Sequence, residues 1–190
     1  MILYLHGFGR SGNAFKARLL RHFFPDVEIV SPDLPAAPQE SVSHVSSILD
    51  KIAGIQPVLL VGSSLGGFFA QHLSCEKKIP AILLNPAAHP WENLEARVGI
   101  NEKLNGSGQF EWYETYLEQL HDLYRKPAPF QKYLLHAYLN RDDEVLDYTV
   151  AQREFESIQC EIIISDEGGH VFTNFTKIRS DIKRIYDALQ

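Results

Sequence analysis

The stretch Pro57-Val58-Leu59-Leu60-Val61-Gly62-Ser63-Ser64-Leu65-Gly66-Gly67 runs from an apolar β-type segment straight into the helix-period segment Leu65 to Cys75. It contains Gly-x-Ser-x-Gly with Ser64 at the centre. A serine between a strand and a helix in this pattern reads as a nucleophile elbow, a sharp turn that holds the side chain out at the tip of the strand. Side chains two residues before and after would collide in such a turn, which is why Gly62 and Gly66 are needed there. At this composition the bare pattern is expected by chance roughly 0.05 times per chain, before the flanking strand and helix are demanded. A phosphate-binding loop would want a lysine after its glycines, and none is present.

Outward from this turn, short apolar runs alternate with helix-period segments. The runs are Ile2 to Leu5, Val27 to Val30, Pro57 to Val61, Ala81 to Leu84, Tyr133 to Leu139 and Glu161 to Ile164. They are nearly continuous in apolar residues, as suits parallel strands covered on both faces. Helices are expected at about 13–23, 41–53, 65–76, 147–156 and 174–188, the last with Ile178, Ile182, Ile185 and Leu189 in one stripe. Six strands alternating with helices make a mostly parallel, doubly wound α/β sheet the natural fold. The stretch 87–131 breaks this rhythm. Phe110, Tyr113, Leu117, Leu120 and Tyr124 fall at helix spacing after Gly106-Ser107-Gly108, so a helical insertion is expected, serving as packing or as a lid hinged at the glycines.

A length of 190 residues, 45% of them hydrophobic, points to a single domain, 1–190, with a core of its own. The balance of 18 Lys and Arg against 24 acids leaves a net charge of -6, which argues against nucleic acid and against an anionic membrane surface. Apolar runs such as Val58 to Val61 are far shorter than the roughly 20 residues of a membrane span. Cys75 and Cys160 are too few for a disulfide framework and form no Cys-x-x-Cys pair. No charged n-region precedes the first apolar run, so a cytoplasmic chain is expected. His22, His44, His72, His89 and His121 show no metal-ligand spacing, and no metal is expected.

A serine at neutral pH needs a base, and the base an orienting acid. In a sheet of this kind both follow the serine, acid before histidine. His136 falls in mid-strand, where burial in the sheet is expected. His170 falls in Asp166-Glu167-Gly168-Gly169-His170, a loop at the carboxyl end of the last strand, and is the expected base. The acid should follow the strand 133–139, where Asp143 is preferred and Asp142 is the alternative. One of the two is also expected to cap the next helix. Asp166 and Glu167 read as solvated loop charges. An oxyanion needs two backbone donors, and the amides of Leu65 and of Phe8, in the loop His6-Gly7-Phe8-Gly9, are the candidates. His6 then shapes the loop, and Arg10 is either a solvated arginine or a contact for an anionic group.

Taken together, Tyr4-Leu5-His6-Gly7-Phe8, Leu34-Pro35, Val61 to Gly67, Asn85-Pro86-Ala87, Asp143 to Tyr148 and Gly168-Gly169-His170 with Phe172 resemble the α/β-hydrolases, and more narrowly the small bacterial esterases of the YqiA/YcfP type. The resemblance spans nearly the whole chain. It implies a minimal α/β-hydrolase fold, a triad of Ser64, Asp143 and His170, activity on acyl esters or thioesters as small-molecule substrates, and no cofactor. Asp142 stands where that family usually carries glycine, and the histidine loop is one residue shorter. The rival readings are an inert binding protein on the same scaffold and an acyltransferase or lyase using the same residues.

Overall fold

The computed structural model describes residues 1–104 and 108–190. Gly106 and Ser107, part of the expected hinge, therefore lie outside the described residues. The elements run β1 (Ile2–Leu5), α1 (Phe15–Phe23), β2 (Ile29–Val30), α2 (Pro38–Ile52), β3 (Leu59–Ser63), α3 (Leu65–Lys77), β4 (Ala81–Leu84), α4 (Pro90–Leu94), β5 (Gly99–Glu102), β6 (Gln109–Trp112), α5 (Thr115–Leu123), β7 (Leu135–Asn140), α6 (Tyr148–Glu156), β8 (Glu161–Ser165) and α7 (Arg179–Asp187). Six strands form one sheet in the order β2-β1-β3-β4-β7-β8, and its pairings are all parallel. The chain has the α/β-hydrolase architecture, with a shortened β2 at one edge.

The continuous apolar strands are explained by cover on both faces. Leu3, Leu5, Leu60 and Leu83 pack with α2, α3 and α6 through Val45, Leu73 and Phe155. Ile2, Tyr4, Val61 and Ile82 face the other way, onto α1 and α7 through Leu20, Ile182 and Ile185. Alternate residues of one strand thus supply two cores, as the pleat requires. Because every strand of the sheet points the same way, the loops after β1, β3, β4, β7 and β8 gather at one edge, where ligand sites of open α/β sheets lie.

The segment between β4 and β7 departs from the purely helical expectation. Helical spacing holds from Thr115 onward, in α5, whereas Phe110 lies on β6, which pairs antiparallel with β5. Phe110 and Trp112 are two residues apart, so on a strand they share a face. Both rings meet Phe8 edge-on, at centroid distances of 5.1 and 5.0 Å. Helix α5 packs on α4 and α2. Two smaller expectations also shift. Asp147 caps α6, accepting the Thr149 amide at 2.9 Å, in place of Asp142 or Asp143. His136 is half-buried rather than buried, because β7 adjoins the edge strand β8, and its Nδ1 meets Glu161 at 2.6 Å.

Candidate active site

Ser64 occupies the junction of β3 and α3 with φ 56° and ψ -122°, a backbone conformation that costs about 1–3 kcal/mol and persists only where the surroundings enforce it. They do so here. A Cβ on Gly62 would overlap the carbonyl of Gly66, and one on Gly66 would overlap the carbonyl of Leu5. The turn is closed by the Gly67 and Phe68 amides, which donate to the Ser64 carbonyl at 2.9 and 3.2 Å. Thus the Ser64 side chain stands at the N-terminus of a 13-residue helix, the positive end of its dipole.

His170 Nε2 lies 3.1 Å from Ser64 Oγ. On the other side of the ring, Nδ1 lies 2.9 and 3.0 Å from the two oxygens of Asp143. A carboxylate only accepts, so Nδ1 carries the proton and Nε2 is free to accept from the serine hydroxyl. The Asp143 side chain is 1% exposed and is held by the amides of Val145 and Leu146, which donate to Oδ1 at 2.9 and 2.8 Å. Asp142 points elsewhere: its carboxylate accepts from the amides of Gly168 and Gly169 at 3.0 and 2.8 Å. Glu144 accepts from the His170 amide at 2.8 Å. Three successive acids at the end of β7 therefore grip one loop, with the middle one on the imidazole.

Sequence reasoning passed over the buried amides behind this loop. Asn85, at the end of β4, and Asn140, at the end of β7, donate from their side chains to the Gly169 carbonyl at 2.9 and 3.0 Å. Asn85 in turn accepts the Asn140 amide at 2.9 Å, and Asn174 donates to Asn140 at 3.0 Å. The only hint in the sequence was an amide residue at the end of each strand. Asp166 and Glu167 are exposed, paired with Arg141 and Lys177.

The amides of Phe8 and Leu65 have no hydrogen-bond acceptor among the described residues, and both residues line the cavity that holds Ser64 and His170. His6 is buried and neutral: burial lowers its pKa, Nδ1 donates to the Gly7 carbonyl and Nε2 accepts the Leu34 amide at 3.0 Å. It ties the loop after β1 to the loop after β2. The cavity holds about 360 Å³. Its lining from the segment between β4 and β7 is Ala87, Asn93, Leu94, Arg97 and Leu104, while Tyr113, Leu117, Leu120 and Tyr124 lie away from it. Cys160 is buried and its thiol pushed up to about 12, chiefly by desolvation, so it is an inert packing residue; Cys75 is also free. Among the described residues no helix is long and apolar enough to cross a membrane.

Solved structures share this architecture at low sequence identity. Alpha/beta hydrolase domain-containing protein 10 from mouse superposes with a TM-score of 0.75 at 16% identity, covering 100% of this chain and 90% of the mouse chain. Est1E from Butyrivibrio proteoclasticus, in a structure with ferulic acid bound, gives 0.71 at 12% identity, covering 99% of this chain and 88% of Est1E. Among sequence relatives, the UPF0227 protein YcfP of Salmonella paratyphi A is 27% identical over 190 residues, 96% of this chain and 97% of its own. The match to UPF0227, described as an uncharacterised protein family, extends over residues 1–187, and the chain belongs to that family.

Proposed function

We propose that residues 1–190 form a single-domain serine esterase that hydrolyses carboxylic esters, with thioesters within its chemistry, and that it works without metal or cofactor. The observation that carries the reading is the hydrogen-bonded line from Ser64 Oγ through His170 to Asp143 at the edge of a cavity. In the first half-reaction Ser64 Oγ bonds to the ester carbonyl carbon while its proton passes to His170 Nε2. Asp143 keeps the proton on Nδ1 and stabilises the imidazolium. The oxyanion forms beside the Leu65 amide, at the positive end of α3, with the Phe8 amide as second donor. Collapse breaks the bond to the alcohol, which takes the proton from Nε2. Water then attacks the acyl-serine, gives its proton to Nε2, and the acid leaves as Ser64 regains its hydrogen.

The loop carrying Phe8 is braced on one side by His6 and on the other by Phe110 and Trp112. This suits a donor that must not move as charge develops. The free thiols suit a reducing compartment, and the proposal includes a cytoplasmic location. Reaction with a fluorophosphonate probe tests the reading: the parent protein should be labelled at Ser64 and Ser64→Ala should not. An inert binding protein would remain unlabelled. Products formed from an activated ester, with and without an added alcohol, separate hydrolysis from acyl transfer, since a transferase would give the new ester in place of the acid.

A further inference from the structure

The cavity beside Ser64 is also lined by Arg10, Lys16 and Arg97. Lys16 lies in the first turn of α1 and is only 9% exposed. The ion pairs of lysine and arginine among the described residues are made by Lys77, Arg141, Lys177, Lys183 and Arg184, so none of the three cavity cations has a carboxylate partner. Among the described residues the one acid lining the cavity is Glu144, whose Oε2 accepts the His170 amide. Helix α1 adds its positive end, with no acid in its first turn and no side-chain cap. Burial and the neighbouring Arg10 together press the Lys16 ammonium down to about 8.

An unpaired buried cation next to a second cation is a costly arrangement, and an apolar side chain would serve packing better at this position. The arrangement becomes favourable when an anion occupies the cavity, since it then satisfies the ammonium and the guanidinium together. Three cations, buried Lys16 with the exposed Arg10 and Arg97, against the single lining acid Glu144 make the described lining positive in a chain of net charge -6. Apolar side chains, among them Phe15, Val145 and Val171, line the same cavity and are about half exposed, as at its mouth.

We infer that the cavity seats an anionic group of the substrate, and that the preferred ester carries a terminal carboxylate or phosphate a short apolar chain away from the scissile carbonyl, bound by Lys16 with Arg10 and Arg97. The inference rests on the esterase reading for its reaction, though its anion seat can be tested without turnover.

The experiment has two arms. In the first, kcat/KM is measured for the 4-nitrophenyl monoester of glutaric acid and for an uncharged 4-nitrophenyl ester of equal chain length. The charged ester should be preferred, and Lys16→Met should cut the ratio by about 10- to 100-fold, the range for a charge-assisted contact. Arg10→Gln should cut it less, and Lys51→Met, on α2 away from the cavity, should leave it unchanged. Equal rates for the two esters in the parent protein would overturn the inference. In the second arm, calorimetry measures binding of glutarate and of butyl phosphate to Ser64→Ala. Binding that Lys16→Met abolishes supports the seat, and the tighter competitor identifies the anion. Neutral-ester hydrolysis with no binding of either anion sinks the seat alone. Lys16-dependent anion binding with no hydrolysis of any ester keeps the seat and sinks the esterase reading.

Discussion

On the His170 side of the cavity the loop between β8 and α7 is held from behind and below: Asp142 and Glu144 take its amides, Asn85 and Asn140 take the Gly169 carbonyl, and Asp143 takes the imidazole. On the opposite side, where the loop after β1 leads into α1, Arg10 and Lys16 line the same cavity, and among the described residues neither is paired with a carboxylate. The first region has its polar groups satisfied within the chain, which fixes the geometry of Ser64, His170 and Asp143 before any ligand arrives. The second has its charges left over, which is what a surface awaiting a ligand looks like in energetic terms. The contrast separates residues that position from residues that receive.

Substitutions on the first side should therefore be the more damaging. Ser64→Ala or His170→Ala is expected to lower kcat/KM on an activated ester by about 10⁴- to 10⁶-fold with an unchanged melting profile, because the nucleophile and its base act as one unit. Asp143→Asn should cost about 10²- to 10⁴-fold, since an amide can donate to Nδ1 and so favour the wrong tautomer. Comparable loss from Asp142→Asn would contradict this division. That variant removes the charge from the acceptor of the Gly168 and Gly169 amides and should instead cost about 1–2 kcal/mol of stability in denaturant unfolding, with kcat/KM down by less than about tenfold.

Lys16 sharpens the comparison from the stability side. Its ammonium is held near 8, below the ordinary 10.5, so between those values the unfolded chain binds the extra proton and folding gains as pH rises. At neutral pH the buried charge is a burden on the fold. Lys16→Met should accordingly be more stable than the parent at pH 7, by on the order of 2–3 kcal/mol, with the gap narrowing from about pH 8 to 10.5. A variant that gains stability while losing its preference for charged esters would mark Lys16 as kept for ligand binding. If Lys16→Met is instead destabilised across the whole range, the side chain is a packing element. The smallest effect belongs to Arg97→Gln, an exposed residue, with a change of less than about fivefold in the charged-to-neutral ratio.

The elbow around Ser64 was legible because its logic is local. Two glycines, a strand before and a helix after are all visible within about a dozen residues, and the steric need for Gly62 and Gly66 follows from the turn alone. The choice between Asp142 and Asp143 was a one-residue question of which way a loop side chain faces. In the structure the amides of Val145 and Leu146 donate to Asp143, whose carboxylate meets His170, and those of Gly168 and Gly169 donate to Asp142. The hairpin of β5 and β6 was hidden because Phe110 and Tyr113 also fit a helical period, and a strand this short leaves too few residues for period two to compete.

By itself the sequence determined the parallel sheet, the order of its elements and the chemistry available at the end of each strand, since apolar runs, turn residues and motif spacing are properties of neighbours in the chain. Tertiary structure alone decided that Asn85, Asn140 and Asn174 would meet behind His170, that Phe110 and Trp112 would brace Phe8, and that Lys16 would be buried beside Arg10 with no carboxylate paired to it among the described residues. Those outcomes depend on which side chains from distant segments share a volume and how much water is left between them, and burial and unpaired charge are quantities that a linear pattern does not contain.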